Sequence, residues 1–254
     1  MEININCDLG EKSKHHSNKY DPDLLEIVNS ANIACGFHAG DNESMNQVVK
    51  ISKKNGVSIG AHPSFNDPEN FGRQRMSLSQ SEIRKLIIDQ YEILQKISDN
   101  HGEKVTHIKP HGALNNMACK DPELAQVIVS YVKQHYPELI ILAPVLSELA
   151  KASQDAGLVT ALEVFADRTY EDDGTLTPRS IEGSLITDPS QASDHVKKMI
   201  EEKSIISRSG KKLPTTFHSI CLHSDTPNSV EISNQICILL HSMEVQQLTL
   251  PELF

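Results

Sequence analysis

Short apolar runs alternate along this chain with longer stretches in which apolar residues recur at helical spacing, the rhythm of a β/α fold with a parallel sheet. Seven runs read as strands: Ile3 to Asp8, Ala31 to Gly36, Val57 to His62, Val105 to His111, Leu139 to Pro144, Thr160 to Asp167 and Ser219 to His223. Helix starts between them are marked by capping residues. Asp21-Pro22, Asp121-Pro122 and Asp188-Pro189 each set a capping Asp before a proline suited to the first helical position. Ser79 and Glu82 form a capping box, after which Ile83, Leu86, Ile87, Leu94 and Ile97 keep helical spacing up to Gly102, a left-handed terminator. Asp41 reads as the N-cap of a helix carrying Met45, Val48 and Val49, and Thr226-Pro227 as a start for the final helix.

Alternate side chains of a strand face opposite sides, so each strand can be split by parity. In the first, Ile3, Ile5 and Cys7 oppose Asn4, Asn6 and Asp8. Asn32 and His38 oppose Ile33 and Cys35, and His62 opposes Ile59 and Ala61. His107, Lys109 and His111 oppose Ile108 and Pro110. Glu163 and Asp167 oppose Leu162 and Val164, while His223 and Asp225 oppose Ile220 and Leu222. Nearly every strand also ends in a polar cluster, as it would where βα loops converge on one mouth. The expected fold is therefore α/β, a seven-stranded parallel β/α barrel forming a single domain over residues 1–254. An open doubly wound sheet shares the local pattern, and periodicity alone does not separate the two.

A barrel interior that is only structural is filled by apolar branched residues. Carboxylates, imidazoles and a lysine in that place cost free energy to desolvate unless they are paired, bound to a metal or used in chemistry. Asp8 at a strand end and Glu11 beyond the Gly10 turn are a general-base candidate and its neighbour, against the plainer roles of cap and solvated loop residue. His38, His62 and His111 stand at corresponding strand ends. With Asp8 they suit a divalent metal, and a metal-free hydrogen-bonded cluster suits them equally. Lys109-Pro110-His111 pairs an anion binder with an acid/base group, unless Lys109 is simply neutralised by Glu163 or Asp167. Arg168 and Arg179 bring guanidinium forks to loops, where they can hold a carboxylate or phosphate or make exposed ion pairs. His223 closes the ring of strand-end groups. Cys7 and Cys35 share the apolar faces, which argues against a nucleophilic thiol.

Composition narrows the classes further. Hydrophobic residues make up 38% and charged residues 23%, enough apolar matter for a core without tryptophan. A formal charge of −10 with no basic block excludes a nucleic-acid partner. MEININCDLG lacks the basic and apolar segments of a signal peptide, and no apolar run approaches a membrane span, so a cytoplasmic protein without a membrane partner is expected. The five cysteines are scattered, without a C-x-x-C pair, as reduced thiols are.

The segments NCDLGE from Asn6, ANIACGFHAGD from Ala31, Gly60 to Pro63, KPHGAL from Lys109, EVFADRTY from Glu163 and Asp173 to Ser180 closely resemble the LamB/YcsF family, whose members are the A subunits of 5-oxoprolinases. The similarity runs in order over nearly the whole chain. It implies a seven-stranded barrel related to polysaccharide deacetylases. It further implies conversion of 5-oxo-L-proline to L-glutamate with ATP hydrolysis to ADP and phosphate, in a complex with 5-oxoprolinase subunits B and C. On this reading Asp8 or His111 is the general base and Lys109 or Arg168 holds negative charge. Asn6, Glu11, His38, His62, Asp167, Arg168, Arg179 and His223 line the substrate site, with Asp8, His38, His62 and His111 as the metal candidates. Neither a P-loop nor G-x-G-x-x-G occurs, so no ATP site is located in this chain, and subunits B and C are expected to phosphorylate the lactam. Two rivals are a metal-dependent deacetylase or amidohydrolase acting alone and a non-catalytic binding or regulatory subunit. Departures from the family pattern are Asn115 in place of tyrosine, Ser224 and Asn228 in place of glycine and histidine, and a loop from Lys12 to His16 without its usual glycines.

Overall fold

Ile3, Ile5, Cys7 and Leu9 are fully buried on one side of the first strand, and Asn4 and Asn6 are just as buried on the other. Both faces are covered, so the strand shows its two sides by residue type and not by exposure. The computed structural model describes residues 1–14 and 16–254. Strands β1 (Glu2–Leu9), β2 (Ser30–Ala34), β3 (Ser58–His62), β4 (Val105–Ile108), β5 (Ile140–Pro144) and β6 (Thr160–Phe165) pair in chain order, all parallel. A short antiparallel hairpin, β7 (Ser204–Ile206) and β8 (Lys212–Pro214), precedes β9 (Ser219–His223). β9 pairs with β6 on one side and with β1 on the other, from Asn4 opposite Ser219 to Asp8 opposite His223. That last ladder closes a seven-stranded barrel and decides against the open sheet. β10 (Gln246–Gln247) extends the start of β1.

Around the strands lie α1 (Asp21–Leu24), α2 (Asn42–Asn55), α3 (Gln80–Asn100), α4 (Gly112–Ala118), α5 (Pro122–His135), α6 (Glu148–Asp155), α7 (Pro189–Glu202), α8 (Ser229–Ser242) and α9 (Leu250–Leu253). The apolar residues of α1 to α8 meet the strands in one core, while Leu250 of α9 packs in a separate cluster with Ile140, Leu142 and Ala161. No helix among the described residues is long and apolar enough to cross a membrane.

Most helix starts form as their sequences dictate. Asp121 and Asp188 accept from backbone N–H groups of α5 and α7, and Asp41 with Ser44 and Ser79 with Glu82 make capping boxes. Gly102 follows α3 with φ +70, the left-handed residue expected there. Two expectations need correcting. Asp21 is not a cap: Tyr20 holds that position, and the Asp21 carboxylate reaches back to accept the Gly10 N–H at 2.8 Å, tying down the turn that follows β1. Thr226-Pro227 does not start a helix: α8 begins at Ser229, a further short helix follows it, and the Thr226 hydroxyl donates instead to Asp167. Three strands also stop short of their expected ends, at Ala34, Ile108 and Phe165, because the chain turns into the polar cluster there.

Inside the barrel the filling is polar and layered. Asn4 donates to Ser30 at 2.8 Å and accepts from Ser219 at 2.7 Å. One layer up, Asn6 accepts from Asn32 at 2.8 Å, and Asn32 Oδ1 meets His107 Nε2 at 3.0 Å. Burial, helped by the charge on Lys109, pushes His107 down to about 3, so its ring is neutral. His107 reaches across only because its neighbour is Gly60, where a Cβ would sit 2.1 Å from His107 Nε2. Gly60→Ala should accordingly cost about 1–3 kcal/mol or more in chemical denaturation, as overpacking does, whereas Gly157→Ala, with open space at its Cβ, should show only the strain of its positive φ.

Asp21 yields a second expectation. Burial pushes its carboxyl up to about 7 from 3.8, against the Gly10 N–H that favours the anion. The folded state then holds more protons than the unfolded state between those values, so this group contributes stability below about pH 4 that is lost as pH rises through about 7. Thermal unfolding across that window should show a decline in the wild type that Asp21→Asn flattens, and parallel curves would disprove the assignment.

Candidate functional site

The strand ends surround a cavity of about 450 Å³ whose floor is charged and whose side wall, with Pro110, Val145, Phe165 and Leu176, is apolar. Lys109 organises the floor. Its ammonium lies 2.9 Å from Asp8 Oδ1, 3.2 Å from Asn6 Oδ1, 3.1 Å from Glu163 Oε2 and 3.1 Å from Cys221 Sγ. Burial works against each charge, and the pairing decides which survives. Asp8 is held well below the usual carboxylate range because His62 and Lys109 outweigh its desolvation. Lys109 is raised, its burial outweighed by Asp8, Cys221 and Glu163. Glu163 moves up, since there burial wins over Lys109. Of the two carboxylates at Lys109, Asp8 is the one whose charge the surroundings favour. Asp167, the other carboxylate considered as a partner for this lysine, bonds elsewhere.

Beside this pair stands a second group. Glu11 Oε1 is 3.1 Å from His38 Nε2, 3.3 Å from His111 Nδ1 and 3.8 Å from His62 Nε2. Backbone carbonyls fix two of the rings: His62 Nδ1 donates to Lys109 O at 2.7 Å, and His111 Nε2 to Phe71 O at 3.0 Å. Each of these rings then presents its other nitrogen, and His62 Nε2 and His111 Nδ1 face each other at 3.0 Å. Two lone pairs at that distance repel unless a cation or a shared proton lies between them. Burial drives His38 and His111 well below the ordinary imidazole value, which leaves them neutral. His62 is raised, because Asp8 at 3.4 Å outweighs its burial. His38 Nδ1 is buried with no partner among the described residues.

Three imidazole nitrogens and one carboxylate oxygen, all four residues buried and the donor atoms within 4.8 Å of one another, are a donor set suited to a divalent metal. The carbonyls behind His62 and His111 supply the outer hydrogen bonds that ligating histidines use. The expected set is thus revised at one position. Glu11 completes the group with His38, His62 and His111, and Asp8 stands next to it and groups instead with Cys221 and His223.

Next to Asp8, on the neighbouring strand, stands an aspartate–histidine pair. His223 Nδ1 lies 2.9 Å and 3.0 Å from the two oxygens of Asp167, which also accepts from Thr226. This partner holds the ring proton on Nδ1 and turns Nε2 toward Asp8, 3.9 Å away. Both nitrogens of His111, by contrast, are engaged, Nε2 by the Phe71 carbonyl and Nδ1 within the imidazole group. The rim carries four guanidinium groups, those of Arg73, Arg75, Arg168 and Arg179. Arg73 and Arg179 share Asp225, at 2.6 Å and 3.2 Å. Arg168 donates to the carbonyls of Ser184 at 3.3 Å and Thr177 at 2.6 Å. Burial, with Arg179 nearby, pushes Arg168 down to about 10, still a cation at neutral pH.

All the expected site residues, Asn6, Asp8, Glu11, His38, His62, Lys109, His111, Asp167, Arg168, Arg179 and His223, converge at this end of the barrel. Cys221 and Arg73 were not expected. Cys221 shares the parity of His223, which was the available signal, whereas Arg73 lies on a loop after Gly72 where no periodicity marks it. Of the departures from the family pattern, Asn115 lines the cavity and Ser224 donates to the Asp8 carbonyl at 2.8 Å. Asn228 instead precedes α8, donating to Thr187 O, and residue 15 of the Lys12 to His16 loop lies outside the described residues.

Comparison with known proteins agrees with these motifs. The LamB/YcsF family model matches residues 3–253. The A subunit of 5-oxoprolinase from Azoarcus sp. (strain BH72) is 42% identical over 253 residues, covering 100% of this chain and 99% of that one. Among solved structures, a lactam utilization protein from Thermus thermophilus is similar with TM-score 0.90 and 33% identity, over 98% of this chain and 100% of its own. The peptidoglycan deacetylase PdaC from Bacillus subtilis shares the fold alone, with TM-score 0.50 and 15% identity over 99% of this chain and 89% of its own.

Proposed function

The chain belongs to the LamB/YcsF family, and we propose that it serves as the A subunit of an ATP-dependent 5-oxoprolinase, opening 5-oxo-L-proline to L-glutamate in the cytoplasm together with subunits B and C. The observation that carries this reading is that the residues of the matching motifs meet in one cavity of about 450 Å³, with Asp8 and the Asp167–His223 pair side by side in its wall.

A lactam amide is resonance-stabilised and a five-membered ring recloses readily, so opening it needs coupling. Transfer of the terminal phosphoryl group of ATP to the lactam oxygen, by subunits B and C, makes the ring carbon electrophilic and releases ADP. Water then adds to that carbon, its proton passing to the ring nitrogen. The carbon–nitrogen bond breaks as the new hydroxyl gives up its proton to the departing amine, leaving an acyl phosphate. A second water releases phosphate and L-glutamate. Each ring-opening proton moves from oxygen to nitrogen, so a single group that accepts and returns a proton is enough. His223, oriented by Asp167, has that form, and the anionic Asp8 stabilises its imidazolium. Lys109 keeps Asp8 ionised and in place.

Glu11, His38, His62 and His111 would hold a divalent ion, which supplies Lewis acidity toward a carbonyl or phosphoryl oxygen when bound. Elemental analysis of the chain purified without chelator should find about one divalent ion per chain, and Glu11→Gln with His111→Ala should lose it while circular dichroism stays unchanged. Equal metal content in that double variant would rule the assignment out.

Coexpressed with subunits B and C, the wild type should release glutamate from 5-oxo-L-proline only when ATP is present, and the chain alone should release little. In that complex, His223→Gln and Asp8→Asn should each lower turnover about 10²- to 10⁴-fold at saturating substrate. Glu43→Ala, on the exposed face of α2, should be nearly silent. Near-normal turnover of both site variants, with assembly confirmed by pull-down, would mean that the polar floor is a structural network.

A further inference from the structure

Arg168 is a buried cation without a direct ion pair among the described residues, Asp167 and Asp225 acting on it only from beyond contact. Only 6% of it is exposed, and no carboxylate oxygen among the described residues lies within ion-pair distance of its guanidinium. Its Nε and Nη2 donate to the carbonyls of Ser184 and Thr177, and Nη1 makes no hydrogen bond among the described residues. The carboxylates nearest in the chain and on the rim are committed elsewhere: Asp167 to His223 and Thr226, Asp225 to Arg73 and Arg179. A buried ion left unpaired is costly, so a cation kept in this state beside a cavity marks the place of an anion brought by a ligand.

We propose that Arg168 is the anchor for the carboxylate of a lactam acid, and that this contact selects such a ring over a neutral lactam of the same size. The identity of the ring rests on the function proposed above; the anion anchor rests on the unpaired guanidinium. Arg168 follows Asp167 directly, so the anchor and the His223 pair sit on adjacent residues of one loop. A carboxylate taken by the guanidinium fork leaves the rest of a five-membered ring to lie along Phe165 and Leu176, with its carbonyl toward Asp8 and His223. The two backbone contacts of Arg168 preset the fork, so little side-chain freedom is lost on binding.

The test is calorimetric titration of the full chain with 5-oxo-L-proline, 2-pyrrolidinone and inorganic phosphate, for the wild type, Arg168→Gln and Arg168→Lys. The wild type should bind 5-oxo-L-proline at least about tenfold more tightly than 2-pyrrolidinone, the size of effect a charged hydrogen bond gives. Arg168→Gln should bring that ratio close to one with the affinity for 2-pyrrolidinone unchanged, and Arg168→Lys, which keeps charge but not the fork, should fall between. A role confined to holding the loop would instead weaken both lactams together, and that outcome overturns the proposal. So does a ratio that survives in Arg168→Gln, an absence of 5-oxo-L-proline binding in the wild type, or an effect limited to phosphate. If Arg168→Gln does not fold, the ratio in Arg168→Lys decides by the same criterion. Glutamate release by the complex of all three subunits is scored separately, so the lactam-opening reading can fail while the carboxylate anchor stands, and the reverse.

Discussion

A single buried ammonium group ties the barrel to its chemistry. Lys109 extends from the end of β4 toward residues supplied by β1, β6 and β9, so strands that do not neighbour β4 meet at one point. In an apolar interior such a charge would be discharged or expelled. Here Asp8 stays ionised because Lys109 is present, and Lys109 stays protonated because Asp8 is. Removal of either partner strands the other, and an uncompensated buried charge costs about 3–5 kcal/mol. The polar layers beneath, from Asn4 and Ser219 up to Asn32 and His107, satisfy the remaining donors and acceptors and hold the pair at its height in the barrel.

The imidazole group obeys the same constraint with the opposite sign. Three buried rings and Glu11 present electron pairs to a common space, and backbone carbonyls behind His62 and His111 prevent those rings from escaping by a change of tautomer. The arrangement demands positive charge. Asp8 touches both neighbourhoods, one oxygen on Lys109 and the other on His62. Any change in the charge of the imidazole group is therefore felt at the carboxylate that faces His223. The rim repeats the theme, with Arg73 and Arg179 sharing one carboxylate, Asp225, and Arg168 in contact with none among the described residues. Floor and rim are thus each built with charge that a ligand or ion completes, and the apolar wall between them gives a ring a surface to lie on.

Much of this was legible before folding is considered, because it depends on neighbours in the chain. The period of two within strands separated Asn4, Asn6 and Asp8 from Ile3, Ile5 and Cys7, and parity placed His107, Lys109, Glu163 and His223 on the inner face. Caps such as Asp41, Asp121 and Ser79 act within three residues and formed as read. What only the tertiary structure decided involves partners far apart in sequence. Asp21 has the local form of a cap, yet a backbone N–H eleven residues earlier competes for it and wins. Glu11 displaced Asp8 from the imidazole group because the Gly10 turn folds it inward, a direction that strand parity cannot assign beyond the strand's end. Closure itself rests on β1 meeting β9 across more than two hundred residues, and the isolation of Arg168 rests on Asp225 being taken by other arginines. Local periodicity determines which side chains face the axis. Which of them share a proton, a counter-ion or an electron pair follows only from the closure of the strands into one ring, since that step sets the distances over which charges act.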